Sequence, residues 1–68
     1  MRLKHRIHAY PLIDRDTGRL VGGRVKIPNG TIARPANLVR RTGPAILVYV
    51  NKHGFDYLAY VLPEELAK

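Results

Sequence analysis

The side chains of this 68-residue chain able to do acid, base or nucleophilic chemistry are few: His5, His8 and His53, the acidic pairs Asp14/Asp16 and Glu64/Glu65, and three threonines. There is no serine and no cysteine, so the usual hydroxyl and thiol nucleophiles reduce to Thr17, Thr31 and Thr42, each in or beside a turn or helix-end sequence. His5 and His8 are three residues apart, which in an extended strand sends them to opposite faces and prevents them from chelating one metal together. His53 precedes a glycine between two apolar runs, a loop position. A histidine becomes a convincing base when a partner orients it inside a pocket, and nothing in these spacings supplies one.

The acidic pairs fare no better. Asp14, Asp16 and Gly18 give an Asp-x-Asp-x-Gly start that invites a calcium reading. A calcium loop of the EF-hand kind needs glycine at its sixth position and an acid at its twelfth, where this chain has Arg19 and Val25. DRDTG therefore reads as a turn. Glu64 and Glu65 follow Pro63 and suit the start of a helical turn. The expectation is no enzyme, no cofactor and no metal, with a nuclease site shared between subunits as the residual catalytic alternative.

Charge is the stronger signal. Twelve lysines and arginines face five acids, a formal net charge of +7, and arginine outnumbers lysine eight to four. Residues 1–41 hold ten of the twelve basic side chains and two of the five acids, so the positive excess lies ahead of the apolar C-terminal third. Clustered basic charge, arginine above all, matches the planar, bidentate recognition of phosphate. The expected nucleic-acid contacts, to DNA or RNA, are Arg2, Lys4, Arg6, Arg24, Lys26, Arg34, Arg40 and Arg41, with Tyr10 as the stacking aromatic. No helix-turn-helix spacing, RNP-like aromatic motif or zinc-finger pattern accompanies them.

The elements that must position these residues follow from periodicity. RLKHRIHAY, residues 2–10, alternates, placing Arg2, Lys4, Arg6 and His8 on one face of a strand as a basic stripe. Such a stripe also protects a sheet edge from unwanted pairing. RLVGGRVKI, residues 19–27, reads as a second strand with a corner at Gly22–Gly23. Pro28, Asn29 and Gly30 make a turn into a short third strand, Thr31–Arg34. Pro35, then Arg40 and Arg41, then Gly43 suit one short helical segment over about 35–42.

The remaining stretch, Ala45–Leu62, is a hairpin signature: two apolar runs flank Asn51, Lys52, His53 and Gly54. Both faces of both strands are apolar, and strands apolar on both faces need cover on both faces. A second copy of the chain is the simplest cover, with Ile46, Val48, Tyr49, Phe55, Tyr57 and Tyr60 at the contact and a dimer as the expected assembly. At this length a single core is marginal, which also favours self-association.

The sequence thus predicts a mainly β protein of one domain: a small, barrel-like antiparallel sheet of about five strands with one short helical segment. An α+β arrangement in ββαββ order is the alternative. The expected function is non-catalytic nucleic-acid binding, regulatory or architectural, by a homo-oligomer through a basic β-face. The competing reading is a small inhibitor or adaptor docking on an acidic partner protein. The longest apolar run is interrupted at Asn51–Gly54 and Asp56, too early for a membrane span. The basic start lacks an apolar signal core, so a cytoplasmic location, or a host cytoplasm for a virus-encoded chain, is expected.

Overall fold

A computed structural model describes residues 1–39 and 43–67. In chain order the strands are β1 (Arg2–Leu3), β2 (Ile7–Ala9), β3 (Leu12–Asp14), β4 (Arg19–Val21), β5 (Val25–Ile27), β6 (Ala33–Pro35), β7 (Ile46–Lys52), β8 (Phe55–Val61) and β9 (Leu66–Ala67). One 3-10 turn, Pro63–Glu65, precedes β9, and the Glu65 carboxylate closes it by accepting the Leu62 N–H at 2.8 Å. The fold is mainly β, built of small antiparallel sheets. Among the described residues no helix is long and apolar enough to cross a membrane.

The central hairpin forms as its residue types demand. β7 and β8 pair over seven residues each, from Ile46↔Val61 to Lys52↔Phe55, leaving a two-residue connection of His53 and Gly54. Both have positive φ, 53° and 84°, the geometry whose twist matches that of the flanking strands. The loop is shorter than the four polar residues suggest, because Asn51 and Lys52 stay in the ladder opposite Asp56 and Phe55. The Asn51 side chain then accepts the Gly54 N–H at 3.2 Å and donates to Asp56 at 3.1 Å, fixing the turn to the strand below it.

Short ladders extend the hairpin on both sides. Across β8, Tyr10 and Leu58 exchange two backbone hydrogen bonds of 2.8 and 2.7 Å, which attaches β2 and its partner β5. Across β7 lies β6, and an Arg2↔Ile32 bridge attaches β1 and β9 beyond it. The series β5–β2–β8–β7–β6–β1–β9 wraps around one core of Leu3, Ala9, Ile27, Ala33, Val48, Val50, Ala59, Val61 and Leu66 without closing into a barrel. The radius of gyration, 11.0 Å, equals the ~11 Å of a compact chain of this length.

The other face of the hairpin is covered as well, by the chain itself. The β3–β4 hairpin brings Ile13 and Leu20 against Leu47 and Leu58, and Ala36, Leu38, Val39 and Tyr49 complete this second cluster. The two-sided hairpin therefore finds both covers within one chain, and the inference of a second copy from its double apolar face loses its premise. Val48, expected at a contact between copies, is 0% exposed in the core of the single chain.

Two further expectations are corrected. The helical segment over about 35–42 does not form in its described part, and the ββαββ alternative falls with it. Pro35 ends β6 opposite Val48, and the Ala36 N–H donates to the Leu47 carbonyl at 2.9 Å. Pairing with a long, buried neighbour outweighs a helix too short to hold itself, and residues 40–42 lie outside the described residues. The strand over 2–10 is two strands parted by a bend at Lys4 and His5, because β1 is drawn to β9 while β2 is drawn to β5. The segment over 19–27 turns at Gly22–Arg24, where the glycine pair led to the expectation of a corner.

The two adjacent glycines at this corner do different work. Gly22 has φ +100°, and a Cβ there would lie 2.7 Å from Pro11 Cγ, whereas a Cβ on Gly23 would meet nothing within 4 Å. Gly22→Ala should therefore cost about 1–3 kcal/mol in chemical denaturation. Gly23→Ala should change stability by less than about 1 kcal/mol, and equal losses at the two positions would refute the corner's geometry.

Candidate nucleic-acid interface

The β2–β5 ladder sorts its side chains by register. Ile7↔Ile27 and Ala9↔Val25 turn toward the core, so His8↔Lys26, the pair between them, turns outward. Arg6 precedes His8 by two residues and Arg24 precedes Lys26 by two, and all four are exposed. Same-side neighbours along a strand are ~6.6–6.8 Å apart and adjacent strands ~4.8 Å apart, so the antiparallel register sets Arg6 and Arg24 just beyond opposite ends of the ladder, ~14 Å apart, with His8 and Lys26 paired between them. No carboxylate lies within ion-pairing distance of Arg6, Arg24 or Lys26 among the described residues, where Arg34–Asp56 is the single ion pair.

The other expected contacts are placed elsewhere. Arg34 donates to Asp56 at 3.3 Å and its guanidinium lies 5.6 Å from the centre of the Tyr49 ring. It shares a row across the sheet with Tyr49, Leu58 and Tyr10. Three strand spacings, ~14 Å, therefore part it from Tyr10 at the margin of the β2–β5 patch. Arg2 is attached beyond β6 by its bridge to Ile32 and donates to the Gly30 carbonyl at 3.1 Å. Lys4 sits exposed at the bend that breaks the expected stripe, its backbone N–H bonded to Glu65 at 2.8 Å. Arg40 and Arg41 lie outside the described residues. Tyr10 is half-buried, held by its bridge to Leu58.

The residues expected at a contact between copies also divide. Ile46 and Tyr57 pack against the first core and Tyr49 against the second. Tyr60 is partly exposed, but its hydroxyl donates to the Gly18 carbonyl at 2.8 Å. Phe55 stands out at 68% exposed, the most exposed large apolar side chain among the described residues. Sequence reasoning also missed Lys52, whose Nζ donates to the Lys26 carbonyl at 2.8 Å and so ties the hairpin tip to β5. Strand periodicity held no sign of this contact, since it joins residues 26 apart in sequence.

The acids act as structural groups. The Asp14 carboxylate accepts the backbone N–H groups of Asp16 and Thr17 at 3.0 and 3.4 Å, the local bonding that shapes a turn. Beside it, a cleft of about 580 Å³ runs between Arg15–Gly18 and residues 36–39 and 45–47, with Arg15, Asn37 and Tyr60 among its walls. Among the described residues no three of histidine, aspartate and glutamate come together as a metal site.

Asn51 is the hinge of the tip network, bonded to both Gly54 and Asp56. Asn51→Ala should leave the fold intact but lower its stability by about 0.5–1.5 kcal/mol, read from urea midpoints. An unchanged midpoint would show that these bonds do not hold the tip. Compared with protein-family models, with curated proteins and with solved structures, the chain matches none of them.

Proposed function

We propose that this chain is a non-catalytic nucleic-acid-binding protein whose contact surface is the outward face of the β2–β5 ladder. The observation that carries the reading is Lys26, exposed on the outward face of the ladder beside His8, with exposed Arg6 and Arg24 flanking its two ends and none of the three cations holding a carboxylate partner among the described residues. Cations left free on a regular scaffold are available to neutralise phosphates, whereas Arg34 is engaged by Asp56. Three of the eight cations expected from the sequence, Arg6, Arg24 and Lys26, are assigned to this surface. The reading needs no second copy, since both hairpin faces are covered within the chain.

With three phosphates neutralised per chain, log affinity on duplex DNA should fall with log salt at a slope of about −3, measured by fluorescence anisotropy. A double charge reversal, Arg6→Glu with Lys26→Glu, should abolish binding at low salt while preserving the circular dichroism of the fold. Arg34→Glu should leave the salt slope unchanged. No binding of any polynucleotide at low salt would overturn the proposal. A polyglutamate peptide that competes as well as an oligonucleotide would favour docking on an acidic protein instead.

A further inference from the structure

We infer that the polynucleotide suited to this protein is single-stranded, and that Phe55 is the residue on which one of its bases stacks; this rests on the basic face proposed above. A lone exposed apolar side chain is ordinary on a protein surface. Phe55 is set apart by where it stands and by how firmly it is held. It begins β8 directly after the two-residue turn, opposite Lys52, with 68% of its surface exposed. The turn beneath it is tied by Asn51 to Gly54 and Asp56, and Asp56 is tied in turn to Arg34. A ring carried on so braced a hairpin loses little conformational freedom when a planar partner settles on it.

Its surroundings are cationic. Phe55 lies on the same side of β8 as Tyr57, at the rim of the wrapped sheet. Its cross-strand neighbour Lys52 spans that rim and places its ammonium on the Lys26 carbonyl. Lys52 thereby links the rim that carries the ring to β5, whose outer face bears Lys26, with Arg24 just before the strand. A backbone tracking those cations meets the ring at the rim. An unpaired base can turn its flat face onto it, whereas a duplex keeps its bases stacked on one another.

The other aromatics are less free to do this. Tyr10 and Tyr57 are half-buried, Tyr49 lies under the Arg34 guanidinium, and the Tyr60 hydroxyl is bonded to Gly18. The stacking role expected of Tyr10 accordingly passes to Phe55.

The test compares Phe55→Ala and Phe55→Trp with the parent chain on a single-stranded oligonucleotide containing 2-aminopurine and on a duplex of the same length. Phe55→Ala should bind the single strand roughly 5- to 150-fold more weakly, lose the stacking-induced quench of 2-aminopurine, and keep duplex affinity and salt slope. Phe55→Trp should retain or strengthen single-strand binding. The thermal midpoint of each variant shows that the fold is preserved. If Phe55→Ala binds the single strand as the parent does while the Arg6/Lys26 reversal still abolishes binding, the stacking inference fails and the basic face stands. If the parent binds neither probe, both fail. If Phe55→Ala dissociates an oligomer in light scattering without changing affinity, the ring is a contact between copies and the inference is overturned.

Discussion

Covering two apolar faces of one hairpin with a short, highly charged remainder is the problem this chain solves. β7 and β8 present Val48, Val50, Ala59 and Val61 to one side and Leu47 and Leu58 to the other. No other element is long enough to cover either face alone, so the cover is assembled from strands of two or three residues. Each brings one or two buried side chains: Leu3 from β1, Ala9 from β2, Ile27 from β5, Ala33 from β6 and Leu66 from β9. Strands so short hold few ladder bonds of their own. Their stability comes from the hairpin they dock on, and the Tyr10–Leu58 and Arg2–Ile32 bridges are the seams.

This division of labour also distributes the charge. A strand used as cover turns one face inward, and alternation sends the neighbouring residues outward. In β2 and β5 the inward residues are Ile7, Ala9, Val25 and Ile27, so the outward pair His8 and Lys26 is a by-product of packing, with Arg6 and Arg24 flanking the ladder at its two ends. Arg34 obeys the same rule on β6 but emerges beside Asp56 and Tyr49, where it is used to brace the hairpin. One residue type therefore serves two ends, according to what its register places opposite it.

Much of the local structure was legible in the residues. The Ile46–Val61 hairpin, the DRDTG turn, the Pro28–Gly30 turn and the corner at Gly22 all announce themselves through β-branched runs, Asx chemistry and glycine. The helix over 35–42 did not follow, because its capping signals are weak beside the pairing of Pro35 and Ala36 with β7. The basic stripe over residues 2–8 did not survive either. Alternation within one segment cannot show that its two halves are claimed by different partners. In the site, Arg6, Arg24 and Lys26 were all on the expected roster, and so was Arg34, which the fold engages with Asp56.

Residue order by itself determined that the protein is mainly β, that its centre is a two-sided hairpin, and that it carries a positive excess in its first two-thirds. These are consequences of local periodicity and of composition, which act over a few neighbouring residues or over the whole chain at once. Tertiary structure alone decided that the chain supplies both covers of that hairpin, which cations share a face, and that Phe55 stands exposed at a braced tip. Those outcomes rest on pairings between residues far apart in sequence, Tyr10 with Leu58 and Lys26 with Lys52 among them, and such pairings are selected by the burial of the whole chain together.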